Sequence, residues 1–499
     1  MKNFCLKEFE YAIVCDSNVT DTELSFDKKD NTLSVYITAM NDRPQYVILK
    51  WLFETEDELY VLGDAWERSY GDLCFKKISC NNRWMPWYFA ATDKRETYCF
   101  GVKTQPNSFV SFSYDKSGIT AKLDCRNGGA GVKLNGRTVK LCTFVFEQYT
   151  EPPFESLCKY CKTLCDNPLL PEEKIYGVNN WYYAYGESSY DEIIRDTKLI
   201  AELAKDIPNK PFSVIDDGWE TEEQHGPWEP NEKFADMKAL ADEIKSCGAR
   251  PGIWIRFLEN KLESITDEMY ILRGGEKKFL DPTNHKVQSL IIHDIEKIKG
   301  WGYELIKHDF STYDLFGAFG KDLTDTITNY TDWHFEDETK TNAEIVLDFY
   351  RLIKDTCGDM LIIGCNTISH LCAGLVHINR TGDDTSGREW ERTRKMGINT
   401  LAFRLAQNNA FYIVDADCVG ILNDYIPWEK NRQWLDILSK SDTALFVSCA
   451  SLDEVQKADI RNACIEIQKD HLIKPLDIYE KLTPTEWEID GKVATYSWE

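Results

Sequence analysis

The chain has 499 residues, enough for about three domains of roughly 150 residues each. Its 83 acidic and 58 basic residues give a formal net charge of −25, which disfavours binding to nucleic acid or to anionic membrane surfaces. With 43% hydrophobic and 13% aromatic residues, the composition supports packed cores and excludes wholesale disorder.

Residues 1–150 predict an N-terminal β-sandwich. Short segments rich in β-branched and aromatic residues, such as TLSVYITAM and TVKLCTFVFEQY, are separated by turn sequences such as NDRP and RNGG. No helical pattern interrupts these segments, which favours a sandwich of antiparallel strands.

A linker with one short predicted helix follows at residues 151–173. Cys158, Cys161 and Cys165 lie in this helix, but no second pair of ligands completes a zinc site. The other cysteines are scattered, and neither a signal peptide nor an apolar membrane span is visible in the sequence. We therefore expect a cytoplasmic protein with reduced thiols, no metal and no cofactor.

Residues 174–434 predict a (β/α)8 barrel of the TIM type. Short apolar segments, beginning with KIYGVNNWYY, PFSVIDDGW and RPGIWIRF, alternate about eight times with longer amphipathic stretches such as SYDEIIRDTKLIAELAKD. A doubly wound sheet produces a similar alternation, but the first strand is not followed by a glycine-rich phosphate loop. After the predicted barrel, TALFVSCA and KVATYSWE predict a small β-rich C-terminal domain at residues 435–499. The fold class is thus multidomain α/β with all-β flanks.

Acidic, basic and aromatic residues stand at the C-terminal ends of the predicted barrel strands, where barrel enzymes build their active sites. Helix capping explains any single aspartate of this kind, but not the grouping of several with aromatic and basic residues. Carboxylates accept hydrogen bonds from sugar hydroxyls, and tryptophan packs on the apolar face of a sugar ring. The pattern therefore indicates a site for a polyhydroxy ligand, and it gives no DxDxDG loop for a metal. The strand-end residues are Trp181, Asp216, Asp217, Trp219, Trp254, Arg256, Lys307, Asp309, Arg380, Asp383, Asp384, Asp415 and Asp417.

These motifs resemble glycoside hydrolase family 36, the α-galactosidase or melibiase family, and above all its shorter bacterial and archaeal members. The resemblance covers the barrel from about Lys174 to Cys418. It rests on VIDDGW followed by WEPNEKF, on PGIW and LDPT, on K-x-D at Lys307, on R-x-x-x-D at Arg380, and on DADC in the strand AFYIVDADC.

What the resemblance implies is a retaining double displacement on an α-linked galactose or a related sugar. Asp309 would be the nucleophile and Asp384 the acid/base, the R-x-x-x-D spacing favouring Asp384 over the neighbouring Asp383. Lys307 would keep Asp309 ionised. The remaining substrate-binding residues implied are Trp181, Asp216, Asp217, Trp254, Arg380 and Asp417.

Several alternatives stay open at this point. Arg256 either binds an acidic substituent on the sugar or, as we favour, neutralises nearby aspartates; His370 is either a second base or, as we favour, a hydrogen-bonded loop residue. Other functions are a transglycosylase of the raffinose- or stachyose-synthase type, an inactive sugar-binding protein and a metal-dependent barrel hydrolase. The expected partner is a small carbohydrate, with no nucleic acid and no membrane, and homo-oligomerisation is left open.

Overall fold

The computed structural model describes residues 4–16, 20–55, 59–81, 83–222 and 224–499. Its N-terminal part is a sandwich of two antiparallel sheets, with strand orders β1-β4-β11-β10-β7 and β2-β3-β12-β9-β8-β5-β6. The strands are β1 (Glu10–Cys15), β2 (Glu23–Lys28), β3 (Thr32–Thr38), β4 (Pro44–Leu52), β5 (Tyr60–Gly63), β6 (Lys76–Lys77), β7 (Met85–Pro86), β8 (Tyr88–Thr92), β9 (Thr97–Val102), β10 (Phe109–Asp115), β11 (Gly118–Asp124) and β12 (Thr138–Tyr149).

Aromatic side chains fill the space between the two sheets. Phe100 on β9 stacks on Phe144 of β12 at a centroid distance of 5.6 Å, and Trp51 on β4 meets Phe100 edge-on at 5.0 Å. All three are almost completely buried. Large aromatic rings on alternate strand positions supply the buried apolar area that joins the sheets.

Helix α1 (Pro153–Leu164) follows the sandwich and begins with a proline in its first turn, where no backbone N–H is needed. Its buried face includes Leu157, Tyr160 and Cys161 and packs against β9. All seventeen cysteines of the chain are unpaired.

The next sheet is a closed barrel of parallel strands in the order β23-β22-β21-β20-β17-β14-β13-β25-β24. The first and last strands in this order, β23 and β24, are consecutive in the chain and are separated only by residues 416–418. Because β23 pairs with β22 and β24 pairs with β25, this one stretch of chain joins the two edges of the sheet and closes the barrel. The strands are β13 (Tyr176–Asn179), β14 (Phe212–Ile215), β15 (Glu220–Glu222), β16 (His225–Pro230), β17 (Arg250–Ile255), β18 (Tyr270–Arg273), β19 (Glu276–Leu280), β20 (Leu305–His308), β21 (Leu361–Gly364), β22 (Ile378–Arg380), β23 (Ile413–Asp415), β24 (Val419–Ile421) and β25 (Leu445–Cys449), with β15-β16 and β18-β19 forming two separate hairpins.

Amphipathic helices connect the barrel strands and cover the outside of the sheet. Several begin with a side-chain cap: Asp236 accepts from the backbone of α4, and Thr341 and Glu344 form a reciprocal capping box on α7. The helices are α2 (Trp181–Ala184), α3 (Tyr190–Leu203), α4 (Met237–Ser246), α5 (His285–Trp301), α6 (Ser311–Phe316), α7 (Asn342–Cys357), α8 (Ser369–Cys372), α9 (Trp390–Arg392), α10 (Asn399–Arg404), α11 (Trp428–Ser439) and α12 (Glu454–Glu466), with short 3₁₀ turns at Ile78–Cys80, Asp267–Met269, Gly320–Asp322 and Leu405–Gln407 and a π-helical turn at Thr393–Ile398.

The C-terminal part of the chain differs from the sequence prediction in one respect. Strand β25, predicted within a C-terminal β-rich domain, pairs in parallel with β13 and β24 and is therefore a barrel strand. Helix α12 packs against α3 and α11 on the outside of the barrel. The barrel thus runs past the predicted boundary at residue 434, and the separate C-terminal sheet contains β26 (Ile473–Pro475), β27 (Glu486–Ile489) and β28 (Lys492–Thr495). In the described ranges, no helix has both the length and the apolar character needed to cross a membrane.

Candidate active site

One cleft at the C-terminal ends of the barrel strands brings together most of the residues singled out from the sequence. It has a volume of about 380 Å³, including the space at its open mouth. Parallel barrel strands all end at the same rim, which explains why residues far apart in the chain meet there. The lining residues are Arg68, Trp181, Asp216, Asp217, Gln224, Trp254, Lys307, Asp309, Phe310, Asn366 and Asp384.

Asp309 directly follows strand β20, and its carboxylate is held in place from several sides. Trp254 Nε1 donates to Oδ2 at 3.2 Å, and Asn366 Nδ2 donates to Oδ1 at 2.6 Å. Burial alone would raise the pKa of Asp309, but the charges of Lys307 and Arg68 and these hydrogen bonds outweigh burial and lower the pKa to about 2. The carboxylate is therefore ionised at neutral pH, as an attacking nucleophile requires.

Lys307 lies two residues earlier, within strand β20, and pairs with Asp216. Its Nζ is 2.6 Å from Asp216 Oδ2, and both side chains are almost fully buried. Burial lowers the pKa of Lys307, but the charge of Asp216 outweighs this and keeps the pKa above its ordinary value. The same Asp216 oxygen accepts a hydrogen bond from Asn179 Nδ2 at 2.6 Å, so its position is set by two donors.

Removal of the Lys307 charge should change the pH profile as well as the rate. In Lys307→Met the pKa of Asp309 rises from about 2 because a principal cause of its depression is lost. Since only the ionised carboxylate attacks, the acid limb of kcat/KM should move towards neutral pH, and the variant should lose activity at acidic pH values at which the wild type still has an ionised Asp309. Profiles of kcat/KM against pH measure the shift.

Lys122→Met provides the matched control for this experiment. Lys122 pairs with Asp325 at 2.7 Å, outside the cleft, so its removal should leave the acid limb where it is in the wild type. An acid limb of Lys307→Met that coincides with the wild-type limb would contradict the electrostatic role of Lys307.

Asp217 is the second acidic residue after β14, and its surroundings differ from those of Asp216. Burial raises its pKa, and the neighbouring carboxylate of Glu220 raises it further. Gln224 Nε2 donates to Oδ2 at 2.9 Å, whereas Oδ1 has no hydrogen-bond partner among the described residues. A buried oxygen of this kind in a cleft wall is suited to a ligand hydroxyl.

The neighbours Asp383 and Asp384 point in different directions. Asp384 lines the cleft and accepts hydrogen bonds from Arg68 Nη1 at 3.1 Å and Arg380 Nη1 at 3.4 Å. Asp383 is not part of the lining, and its carboxylate pairs with Arg68 Nη2 at 2.8 Å and Arg392 Nη2 at 3.1 Å. Of the two, Asp384 is the side chain that a ligand in the cleft can reach.

Arg380 and Asp417, both predicted to bind substrate, are brought together but not into the cleft lining. Arg380 Nη2 lies 2.6 Å from Asp417 Oδ1, and both side chains are buried. Asp417 has a positive φ of 78°, which interrupts the strand between β23 and β24. Its other oxygen accepts from the backbone N–H of Thr385 at 2.7 Å. The Arg380–Asp417 pair thus lies beneath the loop that carries Asp384 and supports it. Direct substrate contact by Arg380 or Asp417 stays a prediction.

A second groove adjoins the cleft at Trp181 and Asp384, which line both. Trp181 begins the short helix α2 directly after β13. The groove has a volume of about 600 Å³, including the space at its open mouth, and the Arg388 guanidinium lies over the Tyr185 ring at 4.2 Å in its wall. A ligand that extends beyond Asp384 therefore finds aromatic surface on the far side.

Two residues that depart from the family pattern have structural partners. Arg256 Nη2 is 2.7 Å from Asp314 Oδ1, and both are buried outside the cleft lining, in agreement with the neutralising role. His370 stacks on Trp87 of the sandwich at 5.2 Å, and its Nε2 lies 2.7 Å from the carbonyl oxygen of Val102. Burial lowers the pKa of His370 to about 4, so the ring is a neutral contact between barrel and sandwich.

Four residues of the lining were not singled out from the sequence: Arg68, Gln224, Phe310 and Asn366. Asn366 lies two residues after β21, and the strand-end rule applied to GCN would have found it. Arg68 lies in a loop of the sandwich after β5, and nothing local in the sequence indicates that this loop reaches the barrel. Within the described part of the chain, no group of three or more His, Cys, Asp or Glu side chains has the geometry of a metal site.

Solved structures identify the fold. No protein-family model and no curated protein sequence matches the chain. An α-galactosidase from Thermus thermophilus, in complex with p-nitrophenyl α-D-galactopyranoside, has a TM-score of 0.64 at 15% identity and covers 97% of this chain and 99% of its own.

Two further α-galactosidases are similar over most of this chain. A variant of the GH36 enzyme AgaA from Geobacillus stearothermophilus, in complex with stachyose, has a TM-score of 0.61 at 12% identity and covers 96% of this chain and 77% of its own. An α-galactosidase from Lactobacillus brevis has a TM-score of 0.60 at 11% identity, with 94% and 72% covered. The chain therefore has the sandwich, barrel and C-terminal sheet architecture of the glycoside hydrolase family 36 α-galactosidases.

Proposed function

We propose that this protein is a retaining glycoside hydrolase that removes a terminal α-linked galactose, or a closely related α-glycosyl residue. The observation that carries the proposal is that Asp309 and Asp384 line one cleft at the C-terminal rim of the barrel. The depressed pKa of Asp309 supplies an ionised nucleophile. The fold shared with family 36 α-galactosidases, one of them bound to a nitrophenyl α-galactoside, supports the sugar class.

In the proposed reaction, Asp309 attacks the anomeric carbon while Asp384 gives a proton to the departing glycosidic oxygen. The bond from the anomeric carbon to that oxygen breaks, and a covalent glycosyl ester with Asp309 forms. Asp384 then takes a proton from a water molecule, whose oxygen attacks the anomeric carbon and releases Asp309. Two inversions give a product with the configuration of the substrate.

The remaining cleft residues bind the sugar. The carboxylate of Asp216, held by Lys307, and the free Oδ1 of Asp217 accept hydrogen bonds from hydroxyls at the end of the ring away from the anomeric carbon. Trp254 packs against the ring face beside the nucleophile. The leaving group extends past Asp384 into the groove at Trp181 and Tyr185.

A panel of p-nitrophenyl α-glycosides tests the proposal. We expect the highest kcat/KM on the α-galactoside, release of α-galactose as the first product in NMR spectra, and no loss of activity in EDTA. Inactivity on every α-glycoside of the panel would refute the hydrolase proposal. β-Galactose as the first product would refute retention. Transfer of galactose to added sucrose in preference to water would favour the transglycosylase alternative.

A further inference from the structure

The loop of residues 64–72 leaves the sandwich after β5 and packs into the top of the barrel beside Asp384. Its Ser69 forms two backbone hydrogen bonds with the segment that precedes Asp384, from Ser69 N to Thr381 O at 2.8 Å and from Asp383 N to Ser69 O at 2.8 Å. A buried ion pair of Asp64 with Arg404 at 3.0 Å anchors the start of the loop. The sandwich and the segment that carries Asp384 are thus joined directly.

Arg68, in the middle of this loop, is held rigidly. Its side chain is only 9% exposed, and its guanidinium lies near the rings of Tyr70 at 5.7 Å and Phe319 at 5.9 Å. The buried carboxylate of the preceding Glu67 accepts from the Gly320 N–H at 2.7 Å, which ties the loop to the segment that carries Phe319. A guanidinium fixed in this way loses little conformational entropy when a ligand binds.

The guanidinium of Arg68 lines the same cleft as the two proposed catalytic carboxylates. Its Nη1 donates to Asp384, and its charge acts on Asp309. Two buried polar atoms of cleft-lining residues have no hydrogen-bond partner among the described residues: Nε of Arg68, a donor, and Oδ1 of Asn366, an acceptor. Buried groups of this kind are costly unless a ligand satisfies them.

A sugar bound for the proposed reaction offers one group that matches both atoms. The anomeric carbon faces Asp309 and the glycosidic oxygen faces Asp384, so the substituent on C2 lies beside the nucleophile. A hydroxyl accepts one hydrogen bond and donates another at a single atom, whereas the nitrogen of a 2-acetamido group only donates, and the carbonyl oxygen that accepts is two bonds further out, away from the position of the hydroxyl oxygen. We propose that Arg68 donates to the 2-hydroxyl oxygen and Asn366 Oδ1 accepts its proton, which selects sugars with a free 2-hydroxyl over 2-acetamido sugars.

This inference rests on the proposed function, and a comparison of two substrates tests it. The substrates are p-nitrophenyl α-galactoside and its 2-deoxy analogue, assayed with the wild type, Arg68→Met and Arg68→Lys. Hydrogen bonds to the 2-hydroxyl strengthen in the transition state. We therefore expect Arg68→Met to lower kcat/KM at least about 10-fold more for the galactoside than for the 2-deoxy analogue. Arg68→Lys, which retains one donor, should give a smaller difference.

Arg392→Met is the matched control. Arg392 pairs with Asp383 as Arg68 does, and its Nη2 contacts the backbone oxygen of Asp384 at 2.9 Å, but it does not line the cleft. Its loss should lower kcat/KM by the same factor for both substrates. Equal losses for both substrates in the Arg68 variants would overturn the inference and leave Arg68 a positioning residue for Asp384.

The two proposals fail in different ways. A wild type that is inactive on every α-glycoside of the panel overturns the proposed function, and the inference falls with it. An active wild type whose Arg68 variants lose both substrates equally overturns this inference alone. Thermal unfolding of each variant reports on folding. If Arg68→Met does not fold, the inference is decided by Arg68→Lys, from the ratio of its kcat/KM values for the galactoside and the 2-deoxy analogue compared with the wild-type ratio.

Discussion

Replacement of Asp309 by alanine is expected to lower turnover of an activated α-galactoside by a factor on the order of 10⁴ or more, since no glycosyl-enzyme can form. Added azide can occupy the space of the missing carboxylate and attack the anomeric carbon from that side. A single displacement inverts the configuration, so the product should be the β-galactosyl azide. The anomeric form, measured by NMR, identifies the face from which azide attacked.

Asp325→Ala is a suitable control for this variant. Asp325 pairs with Lys122 near the sandwich and takes no part in the cleft, so its loss should leave turnover near the wild-type level and give no azide product. If Asp309→Ala retained substantial turnover, or gave the α-azide, Asp309 would not be the nucleophile.

The local sequence predicted most barrel strands because a buried parallel strand has a recognisable composition: short, apolar and followed by an amphipathic helix. Strand β25 shows why the prediction stopped short. Its sequence LFVSC is equally typical of a strand in a small β domain, and only its pairing with β13, the first barrel strand in the sequence, defines it as a barrel strand. Such pairing is a long-range property that no window of sequence contains.

The active-site residues show the same division between local and long-range information. Asp216, Asp217, Lys307 and Asp309 directly end or follow regular strands, and for them the strand-end rule was sufficient. Asp417 obeys the rule in sequence, but its left-handed backbone conformation turns its side chain under the loop. Sequence position also carries no signal for Arg68, which enters the cleft from another domain.

Asp384→Ala should behave differently from Asp309→Ala. The nucleophile is present, so a dinitrophenyl α-galactoside, whose leaving group needs little protonation, still forms the glycosyl-enzyme. Loss of general-base catalysis slows the second step by about 10²- to 10⁴-fold, and the intermediate should accumulate as a burst of dinitrophenolate followed by slow turnover. Azide needs no base and should restore turnover. Because it attacks the face opposite Asp309, the product should be the α-galactosyl azide.

Asp383→Ala decides between the two neighbouring aspartates. Asp383 shares Arg68 with Asp384 but lies outside the cleft lining, so its loss should disturb Arg68 without removing the acid/base. We expect slower turnover with no accumulated intermediate and no rescue by azide, since the general base remains in place. Rescue of Asp383→Ala together with failure to rescue Asp384→Ala would assign the acid/base role to Asp383. An α-azide from Asp309→Ala and a β-azide from Asp384→Ala would exchange the roles of nucleophile and acid/base. In a variant without the nucleophile, azide attacks the sugar from the face that the nucleophile would have attacked. In a variant that still has the nucleophile, the sugar is bound to it, and azide attacks from the opposite face.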